Sequence, residues 1–79
     1  MKVKLFWQPN CPRCPQAKEL LADYKSVELY NISEVDGLAE ATYYDVMATP
    51  SIIVFDDNDN EVHAWRGDVP NQEEFSKWI

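Results

Sequence analysis

A run of five uncharged residues, Ser51–Phe55, constrains the fold more than any other stretch of the sequence. The segment reads SIIVF, and a short run rich in β-branched residues is typical of a strand buried on both faces. Such a strand lies inside a sheet, so helices must cover the sheet on both sides. We therefore expect an α/β fold with this strand at the centre of the sheet.

The other segments supply three more strands and three helices. Strands are predicted at Lys2–Trp7, 26–32 and Glu61–Arg66, and helices at about 12–24, after Ser33 and after Asn71. The order is β-α-β-α-β-β-α, in which a right-handed crossover makes the first two strands parallel and the last two strands form an antiparallel hairpin. The sequence thus predicts one domain over residues 1–79, with a four-stranded mixed sheet and helices on both faces.

Capping residues and apolar spacing indicate how the helices begin and which face they bury. Ser33 with Asp36 has the spacing of a capping box, and so has Asn71 with Glu74. Gly37 weakens the second helix. The residues expected to face the core are Ala17, Leu20, Leu21 and Tyr24 in the first helix, and Val35, Leu38, Ala39, Thr42 and Val46 in or just after the second.

Charge and composition argue against several classes of partner. The 79 residues carry a net charge of −7, which disfavours nucleic acid, and no apolar run approaches the roughly 18 residues of a membrane span. Lys2 and Lys4 interrupt the only apolar stretch near the N-terminus, so we expect no signal peptide. The expectation is a monomer in the cytoplasm, where stable disulfides are rare.

Both cysteines lie in the segment NCPRCP, between the first strand and the first helix. Free N–H groups and the helix dipole favour a thiolate at such a junction, where a thiol pKa of about 8.5 can fall by one to several units. Arg13 adds a positive charge, and Pro12 fits a first helical turn because its missing N–H costs nothing there. Cys11 and Cys14 are therefore predicted to be a redox-active pair, with Cys11 the more exposed.

The spacing of the cysteines by itself leaves other uses open. A closed zinc site needs four ligands, and beyond these two thiols the chain offers only His63, so no metal is expected within one chain. An iron–sulfur cluster shared between two chains and a structural disulfide around a very short loop remain alternatives. The segment DDNDNE at 56–61 alternates acids and amides like a calcium loop, but it lacks the central Gly and is predicted to be a hairpin turn.

The combination of motifs resembles the thioredoxin superfamily. CPRC follows a strand and opens a helix, Thr49 and Pro50 precede the buried strand, and Gly67 and Asp68 follow the last strand. The resemblance covers essentially the whole chain, at the size of a glutaredoxin core. It implies a cis peptide bond at Pro50, a loop that pairs with an extended substrate segment, and a second substrate-facing loop at Gly67 and Asp68.

The function that this resemblance implies is reduction of protein disulfides by a thiol–disulfide oxidoreductase, through a reversible Cys11–Cys14 pair that a thioredoxin or glutaredoxin reductase system recharges. The substrate contacts that it implies are Pro12, Arg13, Thr49, Pro50, Gly67 and Asp68. Asn10 stands where thioredoxins carry a Trp, and Leu5 where they place a buried acid. Glutaredoxins carry a basic residue just before the motif, whereas this chain has no Lys there. We therefore expect no cofactor, and glutathione is not expected either. A glutathione-dependent redoxin and a glutaredoxin-like iron–sulfur cluster carrier are the alternatives.

Overall fold

A computed structural model describes all residues 1–79 and contains four strands and three helices. The elements are β1 (Lys2–Trp7), α1 (Cys14–Leu20), β2 (Val27–Asn31), α2 (Val35–Tyr43), β3 (Ser51–Phe55), β4 (Glu61–Arg66) and α3 (Gln72–Ser76). This is the predicted β-α-β-α-β-β-α order. None of the helices has the length and apolar character that crossing a membrane requires.

The four strands form one mixed sheet in the order β2-β1-β3-β4. β1 pairs with β2 in parallel and with β3 in antiparallel fashion, and β3 pairs with β4 as an antiparallel hairpin. Every residue of β3 is buried, as the unbroken apolar run predicts. The predicted parallel crossover, central strand and terminal hairpin are therefore all confirmed.

Helices cover both faces of the sheet, which also confirms the prediction. One core lies between the sheet and the helices α1 and α3, and the other lies between the sheet and α2. The first contains Val3, Leu5, Ala17, Leu21, Ile52, Val54, Trp65 and Phe75, and the second contains Phe6, Ala41, Val46, Ile53 and Phe55. Neighbouring residues of one strand alternate between the two cores because successive side chains of a strand point to opposite faces.

Helix α1 is shorter than the predicted 12–24. It begins only at Cys14, because the preceding residues form a turn in which the Cys14 N–H donates to the Cys11 carbonyl at 3.4 Å. After Leu21 the chain tightens, and the Tyr24 N–H bonds the carbonyl three residues back instead of four. The predicted inward face is correct: Ala17 and Leu21 are buried, and Tyr24 packs against them.

The capping box predicted at Ser33 is wrong, whereas the one at Asn71 is confirmed. The side chain of Asn31 accepts the Ser33 N–H at 2.9 Å, so the chain turns there and α2 begins two residues later, with Glu34 at its N-cap. Asn71 Oδ1 accepts the Glu74 N–H at 2.7 Å and caps α3. In the first case a side chain from the preceding strand competes successfully for the N–H group that a cap would have used.

The predicted inward face of α2 is also wrong. Gly37 and Ala41 face the sheet, whereas Val35 and Leu38 are 84% and 54% exposed; Ala39 and Thr42 are exposed as well. A Cβ at Gly37 would overlap the carbonyl oxygen of Asn31, so glycine lets the helix lie directly on the end of β2. This close approach, and not the apolar spacing, decides which side of α2 is buried. Val46, beyond the helix, is buried as predicted.

Lys4 is a buried charge that the apolar pattern does not reveal. Its Nζ lies 3.2 Å from Glu40 Oε2, 3.3 Å from the Tyr44 hydroxyl and 4.7 Å from the centroid of the Tyr44 ring. Burial alone would lower the pKa of Lys4, but the hydrogen bonds to Tyr44 and Glu40 outweigh it and raise this pKa above its usual value. The ammonium thus stabilises the fold by joining β1 to α2.

The raised pKa of Lys4 makes stability depend on alkaline pH. The folded protein holds this proton more tightly than the unfolded chain does, so the contribution is complete below about pH 10.4 and is lost as pH rises through the folded pKa. Tyr30, whose pKa is raised by burial and by its bond to Glu28, titrates in the same direction. The clean comparison is therefore Tyr30→Phe against Tyr30→Phe/Lys4→Met. Urea unfolding between pH 9 and 12 should show a shallower loss of stability in the double variant, and equal slopes would contradict this role.

Candidate active site

The two cysteines form a disulfide at the start of α1, with their Cα atoms 5.4 Å apart. Cys14 is the first residue of the helix and is only 2% exposed, whereas Cys11 lies in the turn before the helix and is partly exposed. The expectation that Cys11 is the more accessible sulfur agrees with this arrangement. A thiol reagent or a substrate sulfur can reach the pair only from the side of Cys11.

The turn between the cysteines is joined to the loop that follows β4. Pro12 and Arg13 are both exposed, and the Arg13 guanidinium lies 3.3 Å from Asp68 Oδ1. Asp68 Oδ1 also accepts the N–H of Val69 at 2.8 Å, which orients the carboxylate toward the arginine. The ion pair bridges residues 55 positions apart in the sequence and brings the predicted contacts Arg13 and Asp68 together.

The loop before β3 is the third part of this surface. The Thr49–Pro50 peptide bond is cis, as the resemblance implies, and Pro50 is buried while Thr49 is partly exposed. The N–H of Gly67 donates to the Pro50 carbonyl at 3.0 Å and to Ser51 Oγ at 3.1 Å. Ser51 Oγ in turn donates to the Ala48 carbonyl at 2.6 Å. These bonds attach the loop at Gly67 to the loop at Pro50.

Gly67 occupies a position that other residues fit poorly. Its φ is +80°, in the left-handed region, and an added Cβ would lie 3.1 Å from the Cβ of Ala48. Glycine therefore allows the last strand to turn away while its N–H still reaches the neighbouring loop. The end of a strand alone would not explain this geometry.

Strand register explains why the three loops meet. Ser51 pairs with Phe6 on one side and with Arg66 on the other. Three loops therefore lie at the same end of the strands. They are the loop after β1, the loop before β3 and the loop after β4. Seven of the eight predicted site residues lie on these loops, namely Cys11, Pro12, Arg13, Thr49, Pro50, Gly67 and Asp68, and the eighth, Cys14, begins α1 directly after the first loop.

Comparison with known proteins identifies this arrangement. A family model described as a thioredoxin domain matches residues 1–79, the full chain. The chain belongs to the thioredoxin family. A thioredoxin of Methanocaldococcus jannaschii is 32% identical over 59 residues, which are 68% of this chain and 69% of that protein.

Solved structures show the same fold. Thioredoxin 1 of Thermosipho africanus superposes with a TM-score of 0.72 at 15% identity, covering 96% of this chain and 88% of that one. A thioredoxin of Thermus thermophilus superposes with a TM-score of 0.68 at 24% identity, covering 95% of this chain and 67% of that one. Family membership together with the Cys11–Cys14 disulfide makes the protein a thiol–disulfide oxidoreductase. The family acts generally on disulfide-containing substrates with a reductase system.

The surroundings of the cysteines in this thioredoxin-family chain are apolar on the inner side. Leu5, at the position where the resemblance places an acid, is fully buried in the core under α1. Asn10, where it places a Trp, is exposed and has a φ of 66°. Trp7 lies under the ammonium of Lys18, 3.5 Å from the ring centroid, and thus packs against α1.

The other polar motifs of the chain do not join this site. His63 stacks on Trp78 with ring centroids 4.1 Å apart, and no three His, Cys, Asp or Glu side chains meet in a group able to hold a metal ion. The calcium-like segment is a hairpin turn, as predicted, because Asp56 Oδ1 accepts the N–H groups of Asn58 and Asn60. These hydrogen bonds from the backbone hold the pKa of Asp56 below its usual value, and the bond from the Asn60 N–H has the largest effect.

Ser51 and the Arg13–Asp68 pair are the parts of the site that sequence reasoning missed. A polar residue at the first position of an otherwise apolar strand was the available signal for Ser51. No local pattern links Arg13 to Asp68, since the register of β1, β3 and β4 brings them together.

Removing the Asp68 charge should make Cys11 more reactive. In the reduced protein Asp68 holds the guanidinium of Arg13, two residues from Cys11, which would otherwise be free to stabilise a thiolate there. We expect Asp68→Asn to move the midpoint of the pH profile of Cys11 alkylation down by about 0.2–0.7 unit, a small change because the pair is exposed. Asp36→Asn, which removes the same charge from α2, should leave the midpoint unchanged. An equal shift in both variants would mean that only net charge matters.

Proposed function

We propose that this protein reduces disulfide bonds of protein substrates in the cytoplasm, using the Cys11–Cys14 pair with no further cofactor. In this proposal a thioredoxin or glutaredoxin reductase system returns the pair to the dithiol state, and the protein acts as a monomer without nucleic-acid or membrane partners. The observation that carries it is the asymmetry of the pair: a reachable Cys11 bonded to a buried Cys14 beside a cis-proline loop.

The reaction follows from that asymmetry. The thiolate of Cys11 attacks one sulfur of the substrate disulfide, the substrate S–S bond breaks, and the other substrate sulfur leaves as a thiolate that takes a proton from water. Cys14, after losing its proton to solvent, attacks the sulfur of Cys11. The mixed disulfide breaks and the second substrate thiol is released. Two electrons pass from the dithiol to the substrate, and the Cys11–Cys14 disulfide forms.

The neighbouring loops are suited to hold a peptide segment. Thr49 precedes the first paired residue of β3, so its backbone polar groups are available to an extended chain, as in strand addition. The turn at Pro12 and Arg13 and the loop at Gly67 and Asp68 adjoin this segment and are joined to each other by the Arg13–Asp68 ion pair. Backbone pairing of this kind orients a substrate disulfide toward Cys11 without demanding a particular side chain.

A trapping experiment tests the proposal. Cys14→Ser leaves Cys11 able to attack but removes the thiol that resolves the mixed disulfide. Incubation with insulin should therefore accumulate a covalent adduct that dithiothreitol releases, whereas Cys11→Ser should form none. An adduct at neither cysteine would contradict disulfide reduction. Visible absorbance in the anaerobically purified protein that depends on Cys11 would instead favour the iron–sulfur carrier.

A further inference from the structure

The solvent side of α2 is a second surface that the redox chemistry does not explain. Five uncharged side chains share it; successive steps of about 100° place three of them opposite Gly37 and Ala41 and the other two, Leu38 and Tyr43, at the two margins. The five are Val35, Leu38, Ala39, Thr42 and Tyr43, here called the outer face of α2. Val35 is 84% exposed and Tyr43 is 79% exposed. Exposed apolar side chains grouped in this way are typical of an interaction site.

Acidic side chains border the outer face along one side and at both ends. Asp36 and Glu40 lie along one side, whereas Glu34 is the N-cap of α2 and Asp45 follows its C-cap. Glu40 binds Lys4, but Glu34, Asp36 and Asp45 have no basic partner. The segment 26–65 contains nine Asp or Glu and no Lys or Arg. Lys4 is paired with Glu40 and Arg66 with Glu61, so Glu34, Asp36 and Asp45 are open to a basic group of another molecule.

A groove runs along one flank of the outer face. Its volume is about 440 Å³, and its lining combines two tyrosines with two carboxylates: Tyr30, Asp36, Ala39, Glu40 and Tyr43. Aromatic faces attract cations, and carboxylates form charge-assisted hydrogen bonds with ammonium or guanidinium groups. Lys4 already binds Glu40 and faces the Tyr30 ring, so Asp36 and Tyr43 are the groups that the groove offers to a Lys or Arg side chain of a partner.

The C-terminal end of α2 is joined to the active site. The Arg66 guanidinium donates to the Tyr44 carbonyl at 3.0 Å, and the next residue, Gly67, is bonded to the loop at Pro50. Met47, which is 90% exposed, lies between α2 and Thr49 in the chain. The end of the outer face is therefore connected to the redox loops through Arg66 and Gly67.

We propose that the outer face of α2 docks the protein with which the cysteine pair exchanges electrons, and that this partner presents an apolar patch surrounded by Lys and Arg. The statement that the docked protein exchanges electrons with the cysteine pair rests on the proposed function. A second copy of the chain fits poorly because the same unpaired carboxylates would face each other. Nucleic acid and anionic lipid meet the same repulsion.

Binding can be tested without redox chemistry. The probe is a cysteine-free amphipathic peptide of alternating Leu and Arg, and its control has Glu in place of Arg. Titration followed by amide chemical shifts should show saturable changes on α2 and at Tyr30 for the Arg peptide and none for the Glu peptide. Leu38→Gln should weaken binding roughly tenfold, as loss of a contributing apolar contact does. The matched control is Leu29→Gln, which changes an exposed Leu on the face of the sheet that α1 covers. This variant should bind the Arg peptide as tightly as the native protein does.

Three results would overturn the proposal. One is binding that Leu38→Gln leaves unchanged, with shifts spread over the acidic turn at 56–61, because that indicates attraction by net charge alone. Another is absence of binding by the Arg peptide. The third is a concentration-dependent dimer formed through α2 in sedimentation experiments, because the face would then be covered by a second copy.

Kinetics separate this inference from the proposed function. Two disulfide-bonded substrate peptides, identical around the disulfide, carry either the Leu/Arg or the Leu/Glu extension, with dithiothreitol as electron donor. The Arg substrate should have the higher kcat/KM, and Leu38→Gln should remove that advantage while reduction of a small aromatic disulfide stays constant. Equal kcat/KM for both substrates overturns docking by the redox partner. Failure to reduce any disulfide contradicts the proposed function, and the peptide titration still decides whether the face binds.

Discussion

Replacing Cys11 by Ser is expected to reduce the rate of disulfide reduction by more than about 10³-fold, as loss of a nucleophile does in other covalent mechanisms. A serine hydroxyl is not ionised near neutral pH and cannot form a disulfide. Cys14 cannot take over, because it is 2% exposed and lies behind the turn that carries Cys11. The measurement is turnover of insulin with dithiothreitol in excess, corrected for the rate without protein.

Cys14→Ser is the matched control for this loss. It makes the same change of sulfur to oxygen three residues away, yet the first attack should survive, so that in the absence of dithiothreitol one equivalent of substrate is captured per reduced protein. Far-ultraviolet circular dichroism of both variants shows whether the fold is retained. Capture of one equivalent by Cys11→Ser would mean that the two cysteines have the opposite roles, and native turnover by Cys11→Ser, with the fold intact, would mean that the pair does not carry the reaction.

The order of elements and the position of the redox pair could be read from the sequence because they depend on local patterns. The unbroken apolar run of β3 and the side-chain cap at Asn71 each act over a few residues. The cysteine motif and the Thr49–Pro50 pair likewise lie in short segments. Patterns of this range predicted the fold class, the sheet and the loops that carry the site.

What could not be predicted depends on contacts between distant segments. Lys4 looks like a solvated strand residue until Glu40 and Tyr44, 36 and 40 positions away, surround it. The ion pair of Arg13 with Asp68 likewise joins two loops that only the strand register brings together. Helical periodicity predicted that the apolar side of α2 faces inward. The prediction was wrong because periodicity contains no information about how closely the helix approaches the backbone of β2.

Gly37 is the residue at which that error can be tested. At a solvent-exposed position inside a helix, replacing Gly by Ala stabilises a protein by about 1 kcal/mol. Here the added methyl group would meet the carbonyl of Asn31, which is backbone and cannot rotate away. We therefore expect Gly37→Ala to lower the free energy of unfolding by about 1–3 kcal/mol, in the range of overpacked cores. Urea unfolding followed by tryptophan fluorescence measures the change.

The control variant is Ala39→Gly, on the exposed side of the same helix two residues away. It should cost about 0.5–1 kcal/mol through helix propensity alone, since no contact is removed. The two substitutions exchange Gly and Ala in opposite directions. Helix propensity alone therefore predicts changes of opposite sign in the free energy of unfolding. Close packing at Gly37 predicts instead that both variants are less stable. If Gly37→Ala stabilises the protein, α2 does not rest on β2 through this glycine. The helix would then be free to turn Val35 and Leu38 toward the core, and the outer face proposed as a docking surface would not exist.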